Sequence, residues 1–112
     1  MDDDPVFREL AGRLLSAIGL NVAGEADTAA EAMSIAMAVK PDAALIDVEL
    51  PDEDGIELAR KLSALAWRPR VVLTSVDADA AGPDAIRRSG ASAFVHKPEL
   101  PNAPLGRLLA AD

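Results

Sequence analysis

Asp47 is the residue of this chain best placed to do chemistry. It closes a short apolar run, Ala43 to Ile46, and the Pro- and Asp-rich segment after it ends at Gly55. An apolar run of this length bounded by turn residues reads as a buried strand. The carboxyl end of such a strand is where open α/β sheets place their ligand sites. Asp47 is therefore read as the reactive group, which the rest of the chain positions or senses. Two further runs end in polar residues. Arg70-Val-Val-Leu-Thr-Ser75 reads as a second buried strand, and Ala91 to His96 as a short last strand that leads into Lys97-Pro98. The acidic start, Asp2-Asp3-Asp4, reads by itself as a solvated segment ending in a helix cap. His96, the only histidine, reads as a side chain near the sheet edge rather than a proton shuttle, and Trp67 and the methionines as packing groups.

The elements that must position these groups follow from local signals. Asp4-Pro5 is an N-cap with proline at the first helical position. Phe7, Leu10, Leu14, Ala17 and Ile18 then recur on one helical face, and Gly19 ends the helix. Leu20 to Ala26 is a weak strand around Val22. Thr28-Ala-Ala-Glu31 is a capping box opening a helix to about Val39, with Met33, Ile35, Ala36, Met37 and Val39 as its apolar surface and Pro41 as its stop. Ile56 to Leu65 reads as a helix carrying Ile56, Ala59 and Leu62 on one side. Gly82-Pro83 starts a short helix through Arg88, closed by Gly90. Pro101 to Pro104 is a loop, and Leu105 to Ala111 a final helix. Strands alternating with helices imply right-handed crossovers and a parallel sheet covered on both faces.

Composition narrows the function classes. The chain has 112 residues, half of them apolar, which suits one globular domain. Its net charge of −8 argues against direct binding of nucleic acid, which depends on Lys and Arg at phosphates. No apolar run approaches the ~20 residues of a membrane span, and the acidic start is unlike a secretory signal. With no cysteine, disulfides, thiolate chemistry and zinc–thiolate sites are excluded. A cytoplasmic protein is expected.

Read together, these residues resemble the receiver domain of two-component response regulators. Asp2-Asp3 looks like the acidic pair after the first strand, and Asp47 with its Leu-Pro-Asp-Glu-Asp-Gly loop like the phosphoaccepting aspartate. Thr74 looks like the hydroxyl residue ending the fourth strand. Phe94-Val-His-Lys97-Pro98 looks like the end of the fifth, with a switch aromatic at Phe94 and the site lysine at Lys97. Each match is weak alone; their shared order and spacing over nearly the whole chain make them specific. The resemblance implies a flavodoxin-like, three-layer α/β/α fold with a parallel sheet ordered 2-1-3-4-5. It also implies a signalling domain, not an enzyme in its own right, that accepts a phosphoryl group on Asp47 from a sensor histidine kinase or a histidine phosphotransfer protein.

The implied chemistry explains the residue types. A carboxylate makes a labile acyl phosphate, suited to a reversible signal. Two carboxylates ~4 Å apart at an effective dielectric near 20 repel by roughly 4 kcal/mol, which a hard divalent cation relieves. Mg²⁺ favours a few carboxylate oxygens, waters and a phosphate. By resemblance, Asp3 and Asp47 ligate it directly, Asp2 through water, and Glu49 through its backbone carbonyl. Lys97 and Thr74 would take phosphate oxygens, since phosphoryl transfer is mostly positioning and charge stabilisation. Thr74 would move toward the phosphate and Phe94 into the vacated space, a coupling worth ~1–3 kcal/mol. The surface from about Pro83 to Ala111 would carry the output to a protein partner; dimer formation stays open.

The chain departs from the family at its start, where an apolar first strand is expected before the acidic pair and only Met1 stands. A central strand buries nearly all its side chains. Losing roughly four, at ~1.5–3 kcal/mol each, is comparable with the ~5–15 kcal/mol that stabilises a domain. The expectation is thus a single receiver domain over residues 1–112, truncated at its N-terminus and without an effector domain. Three accounts follow: a start assigned too far downstream, direct pairing of Leu20–Ala26 with the Asp47 strand, or strand addition by another chain. Two other functions compete. A pseudo-receiver would bind partners without taking phosphate. An Asp-nucleophile phosphatase of the haloacid-dehalogenase type would want a second Asp where Glu49 stands.

Overall fold

A computed structural model describes residues 1–109. Three strands, β1 (Ala43–Asp47), β2 (Arg70–Ser75) and β3 (Ala93–His96), form one parallel sheet in the order β1-β2-β3. Alternate residues of these strands face opposite layers, as the period of a strand requires. Ala44, Ile46, Val71 and Leu73 join one cluster with α2 (Ala29–Val39) and α3 (Gly55–Ser63). Val72, Val95 and Leu45 face the other, with Phe7, Leu14 and Leu15 of α1 (Pro5–Ala17) and Leu105 and Leu109 of α5 (Leu105–Leu109). The remaining helix, α4 (Pro83–Ser89), packs on α3. This is the three-layer α/β/α architecture the sequence implies.

Most helix ends fall where the residue chemistry puts them. Asp4 Oδ1 accepts from the Val6 N–H at 3.0 Å and Pro5 opens α1. Thr28 Oγ1 accepts from the Glu31 N–H at 3.1 Å and caps α2. The reciprocal bond of the capping box lands one residue early, from the Asp27 N–H to Glu31 Oε1. Gly90 closes α4 in the left-handed region at φ +79°, where a side chain is strained. The strands β1 and β2 match their apolar runs residue for residue. The segment Lys97–Asn102, read in part as loop, is a 3₁₀ helix containing Pro98 and Pro101. The expected last helix is described as far as Leu109; its final residues to Ala111 lie outside the described residues.

Two expectations are corrected on the N-terminal side. Leu20–Ala26 is not a strand and does not pair with β1. Instead Met1 and Asp2 lie between them. The Met1 nitrogen donates to Leu45 O at 2.9 Å and the Asp47 N–H to Met1 O at 2.9 Å, which is the bonding pattern of a parallel strand beside β1. On the other side the Asp2 N–H donates to Ala26 O at 3.0 Å. A segment with one ladder bond has nothing to hold it extended, so 20–26 stays irregular. Upstream of this pair of residues, a groove of about 560 Å³ opens between Leu45, Ala11, Leu15, Val22 and Ile35. The α1 face differs too. Leu10 and Ile18, read as part of one apolar face, are about half exposed, and Ala11 is the buried residue of the helix.

Candidate functional site

The site lies at the carboxyl edge of the sheet, where three strands end side by side. Asp47 is the last residue of β1, paired in register with Thr74 of β2; Thr74 in turn pairs with Val95 of β3, and Lys97 follows β3 by one residue past His96. Asp2 and Asp3 arrive from the chain start, held by the Met1 and Asp2 backbone bonds. Ligand oxygens of Asp2, Asp3 and Asp47 lie within 4.8 Å of one another. Asp2 and Asp47 are buried, whereas Asp3 is exposed.

Lys97 bridges this acidic group. Its Nζ is 2.6 Å from Asp2 Oδ2 and 3.4 Å from Asp47 Oδ2, and it stands 4.1 Å from the centroid of the Phe7 ring. The Asp2 contact is an ion pair whose angles fall outside hydrogen-bond geometry, so the buried Oδ2 has no hydrogen-bond partner. Burial would lower the Lys97 pKa; contact with Asp2, and the charges of Asp2 and Asp47, outweigh it and raise it. Burial is also the main reason that the Asp47 pKa rises. The Asp2 charge adds to the rise, against the Glu49 N–H and Lys97. The Met1 ammonium, buried beside them, is pushed down by desolvation in spite of the neighbouring carboxylates.

The loop after β1 is built around the Asp47 backbone. Asp47 Oδ1 accepts from the Glu49 N–H at 3.1 Å. Gly55 turns back so closely that a Cβ there would overlap the Asp47 carbonyl oxygen, and its N–H donates to Val48 O at 2.8 Å. Asp52 pins the far side of the loop, accepting from the Ala29 and Ala30 N–H groups at 2.8 and 3.1 Å. Those two donors at the start of α2 hold its pKa below the usual carboxylate range.

The structure thus brings together Asp2, Asp3, Asp47 and Lys97, with Thr74 next to Asp47. The Thr74 hydroxyl, fully buried, donates to Val95 O at 2.7 Å. Phe94 is half-buried against the α2–α3 cluster, one residue from that acceptor. The Glu49 side chain accepts from Ser75 Oγ at 2.5 Å, tying the loop to β2. Sequence reasoning missed Ser75, the capping role of Asp52, and Arg8, whose Nη1 donates to Asp2 O at 2.7 Å. It also read Phe7 only as a core residue. A basic residue one turn into α1, just after an acidic pair, was the available signal for Arg8.

A test of cation binding can be made on these atoms. Ligand oxygens of three carboxylates within 4.8 Å of one another, two of the residues buried, are a donor set that suits a hard divalent ion, with Lys97 Nζ as the cation now at Asp2 Oδ2. The residues fit Mg²⁺.

A parallel three-layer α/β domain with a buried carboxylate, two further acids and a lysine at its sheet edge belongs to the flavodoxin-like class of signalling folds. Residues 1–107 match the response regulator receiver domain family, and the chain belongs to it. The DNA-binding transcriptional activator DevR/DosR of Mycobacterium tuberculosis is 46% identical over 99 residues, covering 87% of this chain and 45% of that protein. A protein-glutamate methylesterase/protein-glutamine glutaminase of Hahella chejuensis is 31% identical over 106 residues, 93% of this chain and 30% of that protein. The chain therefore spans less than half the length of either relative. Among solved structures, the BeF3-activated N-terminal receiver domain of Klebsiella pneumoniae RstA superposes with a TM-score of 0.80 at 30% identity, covering 96% of this chain and 90% of that one. Among the described residues, no helix is long and apolar enough to cross a membrane.

Proposed function

We propose that Asp47 accepts a phosphoryl group from a phosphohistidine of a sensor kinase or phosphotransfer protein, and that the modified domain changes its affinity for a protein partner. A carboxylate oxygen of Asp47 attacks phosphorus, the P–N bond to the donor imidazole breaks, and its electron pair returns to that ring. Burial makes the Asp47 oxygen more basic than an exposed carboxylate, and the Glu49 N–H fixes its partner oxygen. Lys97 Nζ, 3.4 Å from Asp47 Oδ2, would turn from the carboxylates to a phosphoryl oxygen. Asp2, Asp3, Asp47 and the Glu49 carbonyl would hold Mg²⁺, which supplies charge neutralisation at the phosphoryl oxygens when bound. Thr74 would exchange Val95 O for a phosphoryl oxygen, which frees the backbone beside Phe94 and carries the change toward α4, β3 and α5. The observation that carries this reading is the convergence of three carboxylates and Lys97 on the end of β1.

The outputs that the names of the two relatives state, gene activation and methylester hydrolysis, belong to proteins of which this chain matches 45% and 30%, so the output of this chain is proposed only as a protein contact made by the 83–109 surface. Incubation with a small-molecule phosphodonor and Mg²⁺ tests the reading by mass spectrometry. One hydroxylamine-labile adduct on Asp47, lost in Asp47→Ala, is expected; an unchanged adduct in Asp47→Ala contradicts it. A second reading, a domain that binds partners without phosphorylation, is favoured by one observation. Lys97 already pairs with Asp2 and Asp47 of the acidic group from within. No adduct with the phosphodonor, together with partner binding unaffected by Asp47→Ala, would select it.

A further inference from the structure

We infer that Phe7 is a positioning residue for Lys97, its ring face holding the ammonium at the acidic edge so that a cation already stands beside Asp47 when a phosphoryl group arrives. This rests on the phosphoacceptor reading of the site. Three groups surround Lys97 Nζ: Asp2 at 2.6 Å, Asp47 at 3.4 Å and the Phe7 ring at 4.1 Å. A lysine side chain loses considerable rotamer freedom when fixed, so each contact matters to where the ammonium rests. The two carboxylates are also the groups that fit a divalent cation. Once their charge is shared with such an ion, their hold on Lys97 weakens. An aromatic face is not a ligand for a hard cation, so its attraction to the ammonium persists when the carboxylates are engaged.

The placement of Phe7 follows from the chain. α1 begins immediately after the acidic residues, and Arg8 anchors the Asp2 carbonyl, so its neighbour Phe7 is fixed in the first turn facing the site. Phe7 is only half-buried, among apolar residues of the second cluster. Leucine would meet the same packing need, so packing by itself does not call for a ring.

The contact has a signature independent of phosphorylation. Ring current from Phe7 should move the Lys97 ε-methylene proton resonances upfield in the unmodified protein, and Phe7→Leu should return them to ordinary positions. With phosphodonor and Mg²⁺, Phe7→Leu is expected to lower the maximal rate of adduct formation about two- to thirty-fold, with the donor concentration for half-maximal rate unchanged. Phe7→Tyr keeps the π face and should stay within about two-fold of wild type. In a Lys97→Ala background, Phe7→Leu should cause no further loss. An unshifted methylene, a wild-type rate in Phe7→Leu, equal losses in the Leu and Tyr variants, or a loss that persists without Lys97 each overturns the inference. A wild-type chain that forms no adduct overturns the phosphoacceptor reading instead, and the methylene shift then decides the Phe7–Lys97 contact alone.

Discussion

The two sides of β1 are held in different ways. Toward β2, five consecutive residues pair in register, and Leu58 and Leu62 of α3 cover that part of the sheet fully buried. Away from β2, the strand meets only Met1, and beyond Met1 the groove replaces a neighbour. The residues proposed for phosphoryl chemistry divide along this line. Asp47, Thr74 and Lys97 hang from the closed side; Asp2 and Asp3 hang from the open one. The site is thus assembled from a rigid half and a half held by a few backbone bonds and by Arg8. Local stability tracks buried apolar contact, so geometry on the Asp2 side is the softer part.

The comparison can be broken first by cavities. Leu58→Ala, on the closed side, is expected to lower the unfolding free energy by about 2–5 kcal/mol. Leu15→Ala, whose side chain lines the groove, should cost roughly 1 kcal/mol or less. Urea unfolding of both variants checks this, and equal losses would remove the distinction. Filling the open side is the next test. Four apolar β-branched residues added ahead of Met1 would enter the groove parallel to β1, with a gain of roughly 2–4 kcal/mol after the entropy of ordering them. Mg²⁺ binding and the response to beryllofluoride should strengthen with it; an equal response in the two proteins would show that the softness of Asp2 does not limit the site.

A smaller effect concerns Asp47 itself. Folding raises its pKa, so the native state binds that proton more tightly than the unfolded chain does. The stability this confers is present below the unfolded pKa and is lost as pH rises through the folded one. At neutral pH and without divalent cation, the ionised Asp47 therefore destabilises the domain. Asp47→Asn should stabilise it there by on the order of 1 kcal/mol, the gain fading as the pH falls into the carboxylate range. Thermal unfolding across pH reads this directly, and a destabilised Asp47→Asn at neutral pH would contradict it.

What could be read in the sequence follows the same division. The closed side was legible because β1 and β2 are uninterrupted apolar runs with polar ends, and because Pro, Gly and capping residues mark the helices around them. Asp47 is the first polar group after such a run and was read from it directly, whereas Thr74 and Lys97, also at or near the ends of such runs, were singled out by the family resemblance. The open side was not legible. Val22 suggested a strand, but a strand exists only with a partner, and Met1–Asp2 supplies Ala26 with a single bond. Leu10 and Ile18 keep the helical period of α1 yet are about half exposed, while Phe7, Leu14 and Leu15 pack against the core. The links that steady the acidic pair, Arg8 to the Asp2 carbonyl and Lys97 to both Asp2 and Phe7, join residues by tertiary contact, which no local pattern encodes.

Two consecutive amides offer the sharpest test of this division. The Asp47 N–H donates across the open side to Met1 O at 2.9 Å, and the Val48 N–H donates across the closed side to Thr74 O at 2.9 Å. Both bonds have the same length and sit one residue apart. Native-state hydrogen exchange followed by NMR should find Val48 protected to nearly the level of global unfolding, while Asp47 exchanges orders of magnitude faster through local opening of the chain start. Equal protection of the two amides would contradict the account.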